Sequence, residues 1–315
     1  MANSSIRSAG VVGGGLVGSA WAIVFARAGV LVRVFDASED IRRSAPVRIR
    51  ASLEDMAKAG LVEGVDAICS RVTVVESLPA AVSDVDYVQE SVFERVEEKR
   101  AVSEAIGTLI RDDAIVGSSS SGIPASAFTE HAPRRERFLI AHPVNPPHLV
   151  PLVELVPASW TDPAILPWLR AAMEALGQAP IVVKREIEGF ILNRLQGALL
   201  REAWALFEEG YASAADIDLT VSHGLGLRWS FMGPFETIDL NAPGGVDDYA
   251  RRLGPLYQSI AQSRSNPHPW SPELIERARL ERRAALGQDE LPERSAWRDR
   301  RLMALVAHRR SQPSG

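Results

Sequence analysis

The stretch VVGGGLVGSAWAIVFARAGVLVRVFDAS, Val11 to Ser38, constrains the fold more than any other part of the chain. A short apolar strand, Ala9–Val12, runs into Gly13-x-Gly15-x-x-Gly18, and a helical pattern, Val17–Ala28, follows. A second strand, Leu31–Phe35, ends at an acid, Asp36, eighteen residues after Gly18. Each part has a chemical reason. Gly13 permits a tight turn, Gly15 lets backbone approach a pyrophosphate, and Gly18 allows close packing of helix on strand. The start of the helix presents free N–H groups, those of Leu16 and Val17 among them, to phosphate oxygens. Asp36 is placed to accept hydrogen bonds from ribose hydroxyls, and its charge repels a 2′-phosphate, which selects NAD over NADP. A glycine-rich turn alone is weak evidence. Here strand, glycines, helix, strand and acid stand in register, which favours a dinucleotide site over a merely structural turn.

Short β-rich runs and helical patterns alternate through the first half. Strands are expected at Ala9–Val12, Leu31–Phe35, Val72–Val75, Tyr87–Glu90, Ala114–Gly117, Phe138–Ala141, Val153–Val156 and Pro180–Val183. Helices are expected at Val17–Ala28, Ile41–Ala59, Val96–Ile110 and Pro163–Leu176. Strands separated by helix-length segments imply βαβ units and a mostly parallel, covered sheet. After Lys184 the pattern becomes helical, with a long amphipathic run from Phe190 to Glu209 and a charged helical tail from Ser271 to Arg310. The fold class is therefore α/β: a Rossmann-like dinucleotide-binding domain, 1–187, and a smaller all-helical domain, 188–315, for substrate binding and dimerisation. Only Ser311–Gly315 reads as disordered.

Composition narrows the functions. A net charge of −5 argues mildly against nucleic acid as a partner. The single cysteine, Cys69, excludes an intramolecular disulfide and a thiolate metal cluster, and fits a reducing cytosol. No signal peptide or membrane span is legible, so a cytoplasmic location is expected. The histidines show no metal-ligand spacing, so no metal is expected.

A second constellation lies in AHPVNPPHLVPLVELV, Ala141 to Val156. His142 closes a strand, at the sheet edge where open α/β folds bind ligands. Glu154 sits among Leu152, Val153, Leu155 and Val156, where an unpaired carboxylate would be costly to bury. An imidazole partner resolves that cost, fixes the tautomer of His142 and leaves its other nitrogen to take a proton. Four prolines, Pro143, Pro146, Pro147 and Pro151, stiffen the connection. Spacing alone leaves open a structural His and an edge Glu.

The segments SSSSGI, AHPVNPPHLVPLVELVP, EGFILNRLQGALLREAW, GLGLRWSFMGPFET and DLNAPGG, with the glycine motif, resemble the 3-hydroxyacyl-CoA dehydrogenase family, and within it the lambda-crystallin or L-gulonate 3-dehydrogenase branch. The resemblance covers nearly the whole chain and implies a homodimer. It implies that His142 and Glu154 form the base pair of an alcohol oxidation, with Asn145 at the cofactor. Ser121 would bond the reacting oxygen, with its register in Ser118–Ser121 open by one residue. Asn193 would stabilise charge on that oxygen, and Glu94 and Lys99 would lie near the nicotinamide ribose. Without the resemblance, that last run reads as a solvated helix face.

Arg228 bears on the substrate. A guanidinium binds a small carboxylate bidentately, and the gulonate branch carries Arg in this segment. The expected activity is NAD-dependent oxidation of the 3-hydroxyl of a short hydroxy acid, with L-gulonate the best single substrate. Arg42, Arg43, Arg48, Arg50 and Lys58 keep open a CoA thioester, whose phosphates want cations, and a carnitine-type 3-hydroxy acid is a further alternative. The non-enzymatic alternative is an NAD-binding structural protein of the crystallin kind.

Overall fold

A computed structural model of the chain describes residues 5–264 and 268–312. The chain starts with β1 (Ser8–Val12), α1 (Leu16–Arg27), β2 (Leu31–Phe35), α2 (Glu39–Lys58), α3 (Val65–Cys69) and β3 (Val72–Val74). Then come α4 (Leu78–Val82), β4 (Tyr87–Glu90), α5 (Val96–Leu109), β5 (Ile115–Ser118), α6 (Ser126–Thr129), β6 (Phe138–Pro143) and β7 (Leu152–Pro157). The next elements are α7 (Ile165–Ala175), β8 (Ala179–Val182) and α8 (Leu192–Glu208). Helices α9 (Ala214–Thr220), α10 (Gly226–Trp229), α11 (Pro234–Leu240), α12 (Gly245–Ser263), α13 (Pro272–Ala285) and α14 (Leu291–Ser311) complete the chain. Ser311 thus closes a helix, and most of the tail expected to be disordered lies outside the described residues.

The eight strands form one sheet in the order β3-β2-β1-β4-β5-β6-β7-β8. All neighbours are parallel except β6 and β7, which run antiparallel. The order reverses between β1 and β4, the position at which doubly wound sheets open a crevice for ligands. Sequence alternation predicts the strands but not the reversal at β7. The proline-rich loop of eight residues between β6 and β7 is too short for a parallel crossover, which needs a dozen residues or more.

Packing divides the molecule into two compact units, 1–194 with 294–315, and 195–293. The first unit differs from the expected division at 187/188, because the final helix returns to it. The physical reason lies in α1. Residues Gly18 through Ala26 are all buried, Trp21 and Phe25 fully so. A helix apolar all round must be covered all round. One face lies on the sheet, and α14 supplies further cover: Met303 joins the core cluster of Trp21, Ile23 and Phe25, with Leu302, Val306 and Ala307 against it. At the far end of α14, Arg310 Nη1 donates to the Leu61 carbonyl at 3.1 Å.

Met303→Ala is expected to destabilise the first unit by about 2–5 kcal/mol, the usual cost of truncating a buried Met. Urea unfolding followed by circular dichroism measures it, and a change below about 0.5 kcal/mol would contradict the packing of α14 on α1.

Candidate active site

The glycine loop has the geometry of a phosphate cradle. Gly13 adopts φ 98°, and a Cβ there would lie 2.5 Å from the Ser91 carbonyl oxygen. A Cβ on Gly18 would meet the Gly13 carbonyl oxygen at 1.8 Å, so helix and turn touch backbone to backbone. Nothing lies within 4 Å of the position a Cβ would take on Gly15, and α1 starts there without a side-chain cap. The first-turn N–H groups of Leu16 and Val17 are thus left for an anion. Leu16 is exposed and Val17 half-buried.

Asp36 follows β2 and is tied into the loop. Its Oδ2 accepts from Gly14 N at 2.8 Å and its Oδ1 from Ser38 N at 2.9 Å. The carbonyl of Gly14 is held too, accepting from Arg48 Nη1 at 3.0 Å and Ser19 Oγ at 2.9 Å. Asn145, exposed, lines a cleft of about 230 Å³ together with Leu16, Ser19 and Arg48. An open backbone cradle, an uncapped helix start and an acid at the end of β2 fit the diphosphate and ribose of a dinucleotide.

At the other end of the crevice, the antiparallel register sets His142 directly opposite Glu154. Their side chains meet, with His142 Nδ1 and Glu154 Oε2 2.7 Å apart and both residues buried. The second carboxylate oxygen of Glu154 accepts from Ile191 N at 2.9 Å and Leu192 N at 3.0 Å, at the start of α8. Burial works to raise the pKa of Glu154. The hydrogen bonds from His142, Leu192 and Ile191 outweigh it and hold the carboxyl below its ordinary value. His142 Nε2 has no protein partner among the described residues. The His142 ring lies 5.7 Å from that of Phe190, which adopts φ 49° after Gly189 at φ 74°. This left-handed pair turns the chain so that consecutive N–H groups reach one carboxylate oxygen.

The serine run resolves into four different environments. Ser118 Oγ donates to Glu90 Oε2 at 2.5 Å, Ser119 Oγ meets Ser91 Oγ at 2.8 Å, and Ser120 Oγ donates to Glu94 Oε1 at 2.8 Å. Ser121 is the exposed member, and its hydroxyl has only a long contact of 3.4 Å to Glu94. The Ser121 carbonyl accepts from Asn193 Nδ2. The first turn of α8 therefore touches both Glu154 and the Ser121 loop, which gathers His142, Glu154, Ser121 and Asn193.

Glu94 organises that loop: its Oε1 accepts from Ser121 N at 2.9 Å and Gly122 N at 3.1 Å as well as from Ser120. Burial again opposes ionisation, but the Ser120 hydroxyl, the Lys99 charge and the two N–H groups keep the Glu94 pKa below its usual value. Lys99, expected near the nicotinamide ribose, is enclosed instead. Its ammonium lies 3.1 Å and 3.2 Å from the two oxygens of Glu90 and 3.6 Å from Glu94 Oε2. Glu90 escapes sequence reading. The available signal was an acid ending the apolar strand YVQE, nine residues before a lysine on the next helix.

Arg228 lies on α10 in the second unit, exposed and with no carboxylate partner among the described residues. No helix among the described residues is long and apolar enough to cross a membrane.

Comparison with known proteins agrees with this geometry. The model of the 3-hydroxyacyl-CoA dehydrogenase NAD-binding domain matches residues 8–187, and that of the family's C-terminal domain matches 189–288. Lambda-crystallin of Oryctolagus cuniculus is 35% identical, covering 98% of each chain. L-carnitine dehydrogenase of Streptomyces coelicolor is 35% identical over 86% of this chain and 83% of its own. Among solved structures, 5-formyl-3-hydroxy-2-methylpyridine 4-carboxylic acid 5-dehydrogenase, an NAD+-dependent dismutase, superposes with a TM-score of 0.81 at 29% identity, covering 97% of this chain and 98% of that one. With a dinucleotide cradle at one end of the crevice and an imidazole–carboxylate pair at the other, the chain belongs to the 3-hydroxyacyl-CoA dehydrogenase family and is an NAD-dependent oxidoreductase acting on CH–OH groups.

Proposed function

We propose that the protein oxidises the 3-hydroxyl of a short, free hydroxy acid, with L-gulonate the best single substrate. The observation that carries this reading is the buried His142–Glu154 pair at 2.7 Å, with Nε2 of His142 left without a partner among the described residues. Bound NAD would supply the hydride acceptor for oxidation at the carbinol carbon. Nε2 takes the hydroxyl proton, and Glu154 offsets the charge that the imidazole gains. Ser121 Oγ and the Asn193 amide are the polar groups offered to the reacting oxygen. Gly15, Leu16 and Val17 hold the diphosphate, Asp36 the adenosine ribose, and Asn145 borders the groove. Lys99 acts through Glu94, keeping the Ser121 loop in place, rather than by touching the cofactor itself.

A free acid is favoured over a CoA thioester by the state of the α2 cations. Arg42 Nη1 donates to the Asp36 carbonyl at 2.7 Å, and Arg48 is turned onto Gly14 and Ser19. Arg43, Arg50 and Lys58 pair with Asp40, Asp66 and Asp55. Arg228, without a carboxylate partner among the described residues, is the guanidinium we assign to the substrate carboxylate.

The second unit supports a homodimer. Its buried residues among those described are Phe207, Thr237, Ala242 and Leu274, too few for a core. Phe231, Phe235, Leu227 and Leu240 are each about two-thirds exposed or more, a patch that calls for a partner surface.

NADH formation measured with L-gulonate, 3-hydroxybutyrate, carnitine and 3-hydroxybutyryl-CoA tests the substrate class. Preferred turnover of the CoA ester overturns the free-acid reading, and NAD binding without turnover of any of them favours a structural protein. His142→Ala should lower kcat by ~10²–10⁴ with NAD affinity kept; near-wild-type turnover removes His142 from the chemistry. Arg228→Met should raise KM for a free acid, and an unchanged KM refutes the clamp.

Glu154 also has a pH signature. Its folded pKa lies below the unfolded value, so its stabilisation is complete above the unfolded carboxylate range of about 4.3 and is lost as pH falls through the folded value. The stability difference between wild type and Glu154→Gln should hold steady through neutral pH and narrow in acid; a difference that grows in acid reverses the assignment. Light scattering should give twice the 34.3 kDa chain mass, whereas a monomeric mass at micromolar concentration contradicts the dimer.

A further inference from the structure

Helices α1 and α14 both end at one hollow of about 270 Å³, lined by Arg27, Arg309, Arg310, His148, Leu149 and Val306 among others, and His148 also lines the cleft that holds Asn145. None of the three guanidinium groups pairs with a carboxylate among the described residues. Arg27 Nη1 donates to the His148 carbonyl at 2.7 Å and Arg310 Nη1 to the Leu61 carbonyl at 3.1 Å, so both bind neutral oxygens. Arg71 lies beside Arg27 in the adjoining hollow, where Glu63 is present but outside ion-pair distance. The His148 Nδ1 is buried and has no hydrogen-bond partner.

Cations in the last turn of a helix complement its dipole, which accounts for Arg27 on α1 and Arg309 and Arg310 on α14 taken singly. It does not account for their convergence. Three like charges at one half-enclosed hollow repel, and partial charges on carbonyl oxygens compensate them weakly. Burial, then the charge of Arg310, draws the pKa of Arg27 down to about 10, which leaves it cationic at neutral pH. Burial, then the charge of Arg27, draws His148 down to about 4, so its imidazole is neutral and has one N–H to give.

We propose that this hollow is an oxyanion site, adjoining the dinucleotide groove through His148, which lines both, and that in it Arg27, Arg309 and Arg310 bind a phosphate or carboxylate group. The fork geometry of guanidinium suits such an anion, and Leu149 and Val306 give an apolar wall to whatever carries it. The site has a path to the chemistry. His148 and Leu149 continue the loop from His142 through Asn145, so an anion fastened there ties that loop to the ends of α1 and α14.

Inorganic phosphate is the probe, with ADP-ribose at saturation so that the glycine loop is filled. Titration calorimetry on the full chain is expected to show phosphate binding, weakened at least tenfold in Arg309→Gln/Arg310→Gln, which alters exposed side chains only. Hydrogen exchange should slow at residues 146–151 and 306–312 on adding phosphate to the wild type. No binding under these conditions overturns the site. So does equal affinity in wild type and variant, or protection confined to residues 13–19.

Discussion

The buried carboxylate of Glu154 is the interaction on which the rest of the site depends. One oxygen faces the imidazole of His142 across an antiparallel strand pair, and the other takes two consecutive N–H groups from the start of α8. A carboxylate without such donors would be expelled from a strand of Val and Leu or would stay protonated. With three donors it stays charged, and three chain segments become fixed to one another. The reversal of β7 is what makes this possible. A parallel β7 would have placed Glu154 at another level of the sheet, away from the C-terminal edge at which His142 emerges.

The dinucleotide end depends on backbone rather than side-chain charge. Gly13 and Gly18 are in near contact, and their Cα hydrogens are the only substituents that fit. That closeness draws α1 onto β1 and aims its first N–H groups into the crevice. Asp36 and Arg48 then grip the N–H and the carbonyl of Gly14, so the acid expected at the ribose also shapes the loop expected at the phosphates. The apolar character of α1 on every side follows from the same arrangement: a helix held this close to the sheet, with α14 against it, has no long stretch open to water.

Most of the sheet was legible in the sequence, because strand periodicity and turn residues are local signals. All eight expected strands recur with ends displaced by two residues at most, and Leu31–Phe35 and Tyr87–Glu90 without displacement. The direction of β7 and the return of α14 were not legible, since each is decided by contacts between segments far apart in the chain. The same distinction holds in the site. Burial cost marked Glu154 as an acid that needs a partner, and the family resemblance pointed to His142 as that partner. Glu90 raised no such flag, since an acid at a strand end is ordinary until Lys99 is folded against it. The separate environments of the four serines were equally hidden. They arise from competition among the hydroxyls for Glu90, Ser91 and Glu94, which leaves Ser121 the exposed one.

Two carboxylates therefore divide the support of the site, Glu154 beneath the imidazole and Glu94 beneath the Ser121 loop. Both are held below the ordinary carboxylate range by hydrogen bonds that outweigh their burial. Neither changes charge through the neutral range, so the scaffold around His142 and Ser121 stays constant there. Asn193 links the two halves through the Ser121 carbonyl, at the turn of α8 that caps Glu154. A displacement of the start of α8 would disturb the support of Glu154 and the Ser121 loop together. The positions of both are thus set by one helix start rather than by two independent loops.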